Sequence, residues 1–361
     1  MWWWKNGYSE WRCIYCVRII INLSGYEEFV YMNPKRFFLF LLFSSCVGLC
    51  AQENYAVKLG YRPTDKVIVL HIDDVGMSYE SNHGAIDAIE KGVAKSFSIM
   101  MPCPWVPEIF HYLKDHPKTD AGLHLTLNSE WKDYRWGPVA GIKAVPGLVD
   151  NEGAMYRSLP EVYAHATPEE VNTEIYAQLE RCRKMGWEPT HLDSHMGTII
   201  LNPSYLEKYI GIAIDQHLPI QLPCGHNYLN KKTGVINDVL MNQLHSIGER
   251  LWNAGLPVFD DLHNFSYGWK PSAEMKTAKD LREFKTKKYI ESFKELQPGL
   301  TYVIMHCTSY SDIFSHISDS GAIRQADMEA MMDPALKNYL DQQGIIVTTI
   351  RELTERRKAV K

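Results

Sequence analysis

Short apolar runs alternate with segments of helical spacing along most of the chain, and no other feature of the sequence constrains the fold as strongly. Residues 66–72 form a largely apolar run, which is typical of a strand buried on both faces of a parallel sheet. Further strands are predicted at residues 96–101, 121–127, 190–193, 219–222, 300–305 and 345–350. Helices are predicted at residues 82–91, 106–115, 167–185, 203–216, 238–254, 281–296 and 327–343, with a long loop at 131–165. This order favours parallel strands, right-handed crossovers and a barrel-like or doubly wound sheet.

Length and charge narrow the class of protein further. The chain has 361 residues, of which 45% are hydrophobic, and a single α/β barrel domain can reach this length. Its formal net charge is -5, and long basic runs are missing away from the two ends of the sequence. Because nucleic-acid binding needs clustered Lys and Arg, we expect no nucleic-acid partner. The basic tail at residues 356–358 is interpreted as a solvated end, and no pattern indicates an oligomeric state.

The first part of the chain is predicted to lie outside the folded domain. Residues 1–31 show no sustained period, whereas Met32 opens a segment with a basic start, an apolar run at 37–49 and a small residue at Ala51. This pattern is typical of a signal peptide, and the apolar run is too short for a transmembrane helix, which needs roughly 20 residues. We therefore expect translation to start at Met32, cleavage near Ala51, and export to the periplasm or the cell exterior. The alternatives are an N-terminal extension with an anchor helix, or a lipid anchor on Cys46.

The remaining residues, 52–361, are predicted to form one domain without an integral membrane span. Its cysteines are scattered and lack the paired spacing of a zinc site. They are Cys103, Cys182, Cys224 and Cys307. An oxidising compartment permits a disulfide, but the sequence does not give its connectivity.

Polar residues follow several of the predicted strands at the points where those strands end. They are Asp73, Asp74, His124, His191, Asp193, His195 and His306. In parallel α/β folds the carboxyl ends of the strands open onto one face, where sites are built from residues far apart in the sequence. The sequence therefore predicts one polar site at this face, although periodicity alone does not establish that these side chains meet.

The residue types in this set suit a hydrolytic metal site. One Asp and two His form a mixed oxygen and nitrogen ligand set for one divalent ion, with zinc expected first and magnesium, nickel, cobalt or manganese also compatible. A bound cation lowers the pKa of its water and polarises a carbonyl. A second carboxylate can then take the proton of that water, and a histidine can protonate the leaving amine. The tandem of Asp73 and Asp74 supports this division of roles, because adjacent carboxylates repel each other unless a cation or a proton separates them.

Each of these residues also has a structural interpretation. An Asp-Asp pair after a strand is usually a turn or a helix cap, and a single histidine such as His124 or His306 is commonly a hydrogen-bonded core residue. The segment from His191 to His195 is stronger evidence, because it places two histidines and an aspartate close together at a strand end. His226 is a candidate substrate contact. The other histidines are interpreted as structural, namely His71, His83, His111, His116, His165, His217, His245, His263 and His316.

Three motifs together resemble the YdjC-like carbohydrate deacetylases, a family that includes the chitooligosaccharide deacetylases and is related to the polysaccharide deacetylases. They are Val-Leu-His-Ile-Asp-Asp-Val-Gly at residues 69–76, Gly-Leu-His-Leu-Thr at 122–126 and Thr-His-Leu-Asp-Ser-His at 190–195. The likeness extends over about residues 66–350. The resemblance implies a single-domain, irregular (β/α) barrel. It also implies an enzyme that removes acetyl groups from N-acetylated sugars or oligosaccharides and releases acetate.

The resemblance further implies a role for individual residues. Asp74, His124 and His195 would hold the metal ion. Asp73 would be the general base, and His306 would be the general acid. The residues expected behind the ligands or against the substrate are Asp193, His191 and His226.

Three departures from the family pattern lie within or next to the segments that carry these residues. Met-Gly-Thr follows at residues 196–198, where the family commonly continues with further histidines. Val75 replaces the usual Phe, and Cys-Thr-Ser-Tyr follows at residues 307–310, where a Pro is common. The three metal-ligand positions are unchanged, so we expect the departures to line the pocket and affect substrate choice. The export signal points to an extracytoplasmic glycan or its fragments as substrate.

Two other functions fit parts of the same pattern. A different metallohydrolase, such as a phosphoesterase, would need Arg or Lys aimed at a phosphate, and none lies within the three motifs. A non-catalytic glycan-binding protein on the same fold would need neither Asp73 as a base nor His306 as an acid. The presence of both residues favours the deacetylase.

Overall fold

The computed structural model describes residues 54–360, and these residues fold around one parallel sheet. The predicted start at Met32, the leader with its cleavage near Ala51 and the alternative lipid site at Cys46 lie outside the described residues. The strands are β1 (Lys66–Val75), β2 (Ser96–Ile99), β3 (Asp120–Leu125), β4 (Leu192–Ser194), β5 (Asp261–His263), β6 (Gly299–Met305) and β7 (Ile346–Val347). The helices are α1 (Tyr55–Lys58), α2 (Tyr79–Glu90), α3 (Val106–Asp115), α4 (Leu159–His165), α5 (Pro168–Lys184), α6 (Pro203–Gln216), α7 (Tyr228–Lys232), α8 (Asp238–Asn253), α9 (Ala278–Phe293), α10 (Gly321–Met331), α11 (Pro334–Gln343) and α12 (Ile350–Ala359).

The strands pair in the order β4-β3-β2-β1-β6-β5, and β7 also pairs with β1. Every one of these pairings is parallel. Single parallel bridges join Leu192 to Ile220 and Pro223 to Phe259, so the segment between β4 and β5 is linked to both ends of the sheet. The arrangement is an irregular (β/α) barrel with surrounding helices, which confirms the predicted fold class. All strands therefore present their carboxyl ends at one face.

β1 is the central strand, and its side chains are buried from Val67 to Val75. Its pairing with β6 keeps a continuous register from Lys66 opposite Gly299 to Ile72 opposite Met305. The next residue of each strand is Asp73 in β1 and His306 after β6. This register brings a carboxylate and an imidazole, more than 200 residues apart in sequence, to the same edge of the sheet.

The predicted start of α5 is confirmed in detail. Thr167 is the N-cap, and its hydroxyl accepts a hydrogen bond from the backbone N–H of Glu170. The Glu170 carboxylate in turn accepts from the backbone N–H of Thr167, which completes a capping box. Pro168 occupies the first helical position, where its missing N–H costs nothing.

The structure corrects the predictions for the C-terminal part of the chain. The helix predicted over 327–343 is two helices, because Pro334 lacks the N–H needed to continue α10 and instead starts α11 behind its N-cap Asp333. The strand predicted over 345–350 is reduced to β7, because Thr349 caps a further helix, α12. The basic tail is therefore helical, and the Arg357 guanidinium lies 4.1 Å from the centre of the Trp252 ring. The interpretation of this tail as a simple solvated end was wrong for Arg357.

Two smaller differences concern short elements. The strand predicted over 219–222 is reduced to one isolated bridge at Ile220, with a second at Pro223 just beyond it. The short strand β5 was not predicted, because three residues carry no measurable period. The predicted loop at 131–165 contains the helix α4 and a short 3-10 turn, Pro146–Leu148. Over the residues that the structure covers, every helix is too short or too polar to traverse a lipid bilayer. The four described cysteines are buried free thiols.

Candidate metal centre

The end of β1 turns two consecutive aspartates toward one site. Successive side chains of a regular strand point to opposite faces, so Asp73 and Asp74 would normally diverge. The register of β1 with β2 shifts between Ile72 and Val75, and Asp74 has a left-handed backbone with φ of 64°. Such a conformation costs about 1–3 kcal/mol and is typical of functional sites. The irregular end of β1 therefore places both carboxylates at the carboxyl face of the barrel.

Asp74 lies between two histidines that come from other strands. Its Oδ1 is 3.2 Å from Nε2 of His124, at the end of β3, and 3.2 Å from Nδ1 of His195, directly after β4. The candidate ligand atoms of these three residues all lie within 4.8 Å of one another, and all three side chains are buried. The structure therefore brings together the three residues that the family resemblance assigns to the metal.

The hydrogen bonds of His124 show that this site requires positive charge. Nδ1 of His124 lies 2.7 Å from Oδ1 of Asp193, which accepts its proton. In the neutral imidazole, Nε2 then presents a lone pair toward Oδ1 of Asp74 at 3.2 Å. Two acceptors that face each other at this distance repel unless a proton or a cation lies between them. A carboxylate behind a ligating histidine is also the usual arrangement at protein metal sites.

The spacing of the three residues fits a divalent cation. Zinc binds histidine nitrogen at about 2.0–2.1 Å and carboxylate oxygen at about 2.0–2.2 Å, which separates two tetrahedral ligands by roughly 3.4 Å. The two 3.2 Å separations at Asp74 are close to this value. Three protein ligands also leave a coordination position for water. The donor set consequently suits zinc, and it excludes none of the other divalent ions that accept mixed nitrogen and oxygen ligands.

The pKa shifts of these three residues favour positive charge on the two histidines and negative charge on Asp74. Burial alone lowers the pKa of the His195 imidazole, but the charge of Glu130 and hydrogen bonds with Asp74 and Glu130 outweigh it and raise the pKa to about 9. Burial also opposes ionisation of His124, yet Asp193 and Asp73 hold its pKa well above the usual range. Burial raises the pKa of Asp74, but the charge of Arg324 and the two histidines outweigh this effect and lower it well below normal. The cavity thus stabilises an anionic carboxylate surrounded by positive charge.

Asp73 flanks the three-residue cluster without joining it. Its Oδ2 is 3.9 Å from Nε2 of His124, and its Oδ1 is 3.5 Å from Nε2 of His71. Oδ1 is buried and has no hydrogen-bond partner among residues 54–360. Burial raises the pKa of the Asp73 carboxyl, an effect that His124 opposes and Asp193 reinforces. A carboxylate with a raised pKa and an unused oxygen has the properties of a general base.

His306 lies near Oδ2 of Asp74, the oxygen that does not face His124 and His195. Its Nε2 is 3.9 Å from Oδ2 of Asp74, and the side chain keeps 16% of its surface exposed. Nδ1 has no hydrogen-bond partner within the described part of the chain. Burial and the charge of Arg324 lower the pKa of His306 to about 3, so the imidazole is neutral in this arrangement at neutral pH.

Asp193 and His191 lie behind the ligands. Asp193 accepts hydrogen bonds from His71 at 2.9 Å, from His124 at 2.7 Å and from the Tyr302 hydroxyl at 3.0 Å. His191 packs edge-on against His71, and its ring fills the space that a side chain at Gly122 would need. Both residues are buried, and Asp193 contacts the candidate ligand His124 while His191 packs against His71.

The structure does not bring His226 to the site. A side-chain carbon at Gly299 would lie 2.8 Å from Nε2 of His226, which places His226 at the first residue of β6. His306 follows the last residue of the same strand, and a strand of this length spans roughly 20 Å. His226 therefore lies away from the candidate metal centre, and its role as a substrate contact stays a prediction. Among the departures from the family pattern, Val75 packs in the core, whereas Met196 is 48% exposed beside His195.

Several residues of the site were missed in the sequence. Their contacts come from different parts of the chain: His71 with Asp193, Arg324 with Asp74, Glu130 with His195, Tyr302 with Asp193, and Tyr267 beside His306. For His71 a signal existed, because it is two residues before Asp73 and so lies on the same face of β1. Arg324 lies in α10, far from every motif, and no local pattern marks it.

The fold and the site together define an irregular α/β barrel protein with a candidate divalent-metal centre at the carboxyl ends of its strands. The chain belongs to the YdjC-like protein family, whose model matches residues 67–342. This match includes all of the motifs at residues 69–76, 122–126 and 190–195, and it confirms the resemblance noted in the sequence.

Individual relatives and one solved structure agree with this placement. A carbohydrate deacetylase from Thermoanaerobacter pseudethanolicus is 23% identical over 283 residues, which cover 78% of this chain and 97% of the relative. A carbohydrate deacetylase from Thermus thermophilus is 34% identical over 148 residues, which cover 41% of this chain and only 50% of that relative. A crystal structure of a candidate cellobiose-phosphate cleavage protein from Enterococcus faecalis aligns with a TM-score of 0.63 and 18% identity. It covers 80% of this chain and 99% of that chain, and at this identity it supports the fold alone.

Proposed function

We propose that this protein is a metal-dependent hydrolase that removes acetyl groups from N-acetylated sugars. The observation that carries the proposal is the arrangement around Asp74, with two histidines within 3.2 Å of one oxygen and with Asp73 and His306 beside the cluster. The relatives named carbohydrate deacetylases supply the substrate class. The leader predicted before residue 52 favours an extracytoplasmic glycan or its fragments as the source of that substrate.

Asp74, His124 and His195 would hold one divalent cation, for which zinc is the first choice. When bound, such a cation lowers the pKa of a water molecule and polarises the acetyl carbonyl. The protein residues then have to supply position and proton transfer. Asp193 fixes His124 through the 2.7 Å hydrogen bond at Nδ1, which leaves Nε2 directed into the site.

Hydrolysis of an acetamide adds one water across the C–N bond, so the carbonyl carbon gains a hydroxyl group and the nitrogen gains a proton. Asp73 accepts the proton of the attacking water on Oδ2, the oxygen that faces Nε2 of His124 at 3.9 Å. His306, whose side chain is 16% exposed, takes up a proton from solvent and donates it to the leaving amine, and Asp73 then returns its proton to solvent. Acetate and the free amino sugar are the products.

The decisive experiment is acetate release from N-acetylglucosamine oligomers by the purified protein, with zinc and with a chelator. We expect acetate with zinc, loss of the signal with the chelator, and recovery when zinc is restored. His195→Ala is expected to lose both stoichiometric metal and activity, whereas His165→Ala, at an exposed position on α4, is expected to keep both.

Three results would contradict the proposal. Binding of the oligomers without acetate release would indicate a glycan-binding protein. Phosphate release from a phosphomonoester, with no acetate from the oligomers, would indicate a phosphoesterase. Acetate release that a chelator does not reduce would exclude the metal dependence.

A further inference from the structure

Glu130 is a second carboxylate that contacts a candidate metal ligand, and none of the three sequence motifs contains it. Its two carboxylate oxygens lie 3.2 and 3.0 Å from Nε2 of His195. The other ring nitrogen, Nδ1, lies 3.2 Å from Oδ1 of Asp74. The two nitrogens of His195 therefore have different partners. Nε2 contacts Glu130, outside the three-residue cluster, and Nδ1 contacts Asp74, within it.

We infer that Glu130 is a positioning residue that holds the Nε2 proton of His195 and makes Nδ1 the metal-binding atom of that residue. This inference rests on the proposed metal site. A neutral imidazole carries one N–H, and the nitrogen that donates it cannot also bind a metal ion. A carboxylate offers hydrogen-bond acceptors and no donor, so the contacts of Nε2 with both Glu130 oxygens select the tautomer with the proton on Nε2.

The two histidine ligands then bind through different nitrogens. Asp193 holds Nδ1 of His124 and leaves Nε2 for the metal ion, whereas Glu130 holds Nε2 of His195 and leaves Nδ1. Each histidine thus has its own carboxylate partner, which fixes the ring orientation and raises the basicity of the ligating nitrogen. The partner of His124 is buried, and that of His195 retains 20% of its side-chain surface.

Hydrogen bonds of the surrounding loop fix the position of Glu130. Asn128, two residues earlier, accepts a hydrogen bond from the Thr198 hydroxyl at 2.8 Å, and Thr198 lies directly after the turn that carries His195. The Trp136 indole donates to the Asn128 backbone carbonyl at 3.0 Å. The loop that carries Glu130 and the turn that carries His195 are therefore joined at a second point. This link keeps the Glu130 carboxylate next to the His195 imidazole.

The first test identifies the ligating atom in the unmodified protein. Nitrogen-15 NMR of the histidine imidazoles in the zinc-loaded protein distinguishes a metal-bound nitrogen from a protonated one. We expect His195 to bind zinc through Nδ1 and to carry its proton on Nε2, with the opposite pattern in His124. Zinc on Nε2 of His195 would overturn the inference without any variant being made.

The second test measures zinc affinity by competition with a chromophoric chelator. Glu130→Ala is expected to weaken zinc binding by about 10- to 100-fold, the usual effect of removing a carboxylate partner of a ligating histidine. Glu130→Gln is expected to lose less, because its amide oxygen can accept the same hydrogen bond. Asp133→Ala is the matched control, since it removes a carboxylate that is 72% exposed in the same loop, and it is expected to leave the affinity unchanged.

The outcomes separate this inference from the proposed function. Zinc affinity that is equal in Glu130→Ala and the unmodified protein would overturn the role of Glu130 and leave the deacetylase proposal standing. An unmodified protein that binds zinc through Nδ1 of His195 but releases no acetate would overturn the deacetylase proposal alone. An unmodified protein that binds no divalent ion would overturn both.

Discussion

Nη1 of Arg324 lies 2.7 Å from Oδ2 of Asp74. The other oxygen of the same carboxylate, Oδ1, faces His124 and His195. The guanidinium is buried and is itself held by the Ser320 hydroxyl, 2.7 Å from Nε. The two oxygens of Asp74 are therefore assigned to different partners. Oδ2 is paired with the Arg324 guanidinium, which carries a positive charge at all ordinary pH values. This leaves Oδ1 as the single oxygen directed at the candidate metal position.

Arg324→Met is expected to destabilise the metal-free protein by about 3–5 kcal/mol, because it leaves the buried Asp74 carboxylate without its cation. Zinc is expected to restore part of this loss, since a bound ion supplies a new counter-charge to Asp74. Urea unfolding with chelator and with zinc measures both quantities. Arg250→Met is the control, because Arg250 pairs with Glu207 at positions that are 45% and 58% exposed, and such pairs contribute only about 0–1 kcal/mol. Equal losses in the two variants would contradict the role given to Arg324.

Asp73→Asn is expected to lower the rate of acetate release by about 10²- to 10⁴-fold, because an amide cannot accept the proton of the attacking water. Zinc stoichiometry is expected to remain that of the unmodified protein, since Asp73 lies outside the three-residue cluster. The measurement is the acetate rate together with metal analysis of the same sample. An unaffected rate would remove Asp73 as the base, and loss of zinc would make it a ligand instead.

The sequence predicted the sheet better than the site. β1, β3 and β6 were predicted because their apolar runs extend over several residues, whereas β5 is too short to carry a period. The candidate metal ligands could be selected because each lies at or directly after the carboxyl end of a strand, and parallel strands share one carboxyl face. The direction of Asp74 could not be predicted, because it depends on a left-handed backbone angle.

Contacts between distant segments account for most of what the sequence did not predict. Arg324 and Asp74 are 250 residues apart, and only the packing of α10 against the site brings them together. His226 was also a candidate from the sequence, but it packs beside Gly299 at the start of β6, at the opposite end of that strand from His306. Sequence patterns identify which residue types are available, whereas the strand register decides which of them meet.

Lys285→Met is expected to destabilise the protein by about 3–5 kcal/mol, because Lys285 is the buried cation beside Asp327. Its Nζ lies 3.2 Å from Oδ1 of Asp327, whose Oδ2 accepts a hydrogen bond from the backbone N–H of His306. In contrast to Arg324→Met, zinc should not selectively restore this loss, since Asp327 is not among the metal ligands. Urea unfolding with and without zinc provides the comparison. Lys287→Met, at an exposed position of the same helix, is the control and should change stability little.

Glu174 on α5 anchors the loop at 131–165 and should make the stability of the protein depend on pH. Its carboxylate is buried and accepts hydrogen bonds from the backbone N–H groups of Val139 at 2.9 Å and Ala140 at 2.8 Å. Burial raises the pKa of Glu174 to about 7, although these hydrogen bonds and one from Gln178 oppose the shift. In the unfolded chain the pKa of a glutamate is about 4.3.

The folded state therefore holds the Glu174 proton more tightly than the unfolded chain does. Its contribution to stability is complete below about pH 4.3 and is lost as pH rises through 7, because the ionised carboxylate is favoured on unfolding. The Glu174→Gln variant has no ionisable group at this position and serves as the reference. The unfolding free energy of the unmodified protein, minus that of the variant, should fall by about 2–3 kcal/mol between pH 5 and pH 8. Urea unfolding at four pH values in this range measures the difference, in which the titration of all other groups cancels. Glu180→Gln, at a 66% exposed position of the same helix, should give a flat difference. A flat difference for Glu174→Gln, or one that rises with pH, would show that Glu174 is ionised throughout this range and that its three hydrogen bonds outweigh its burial.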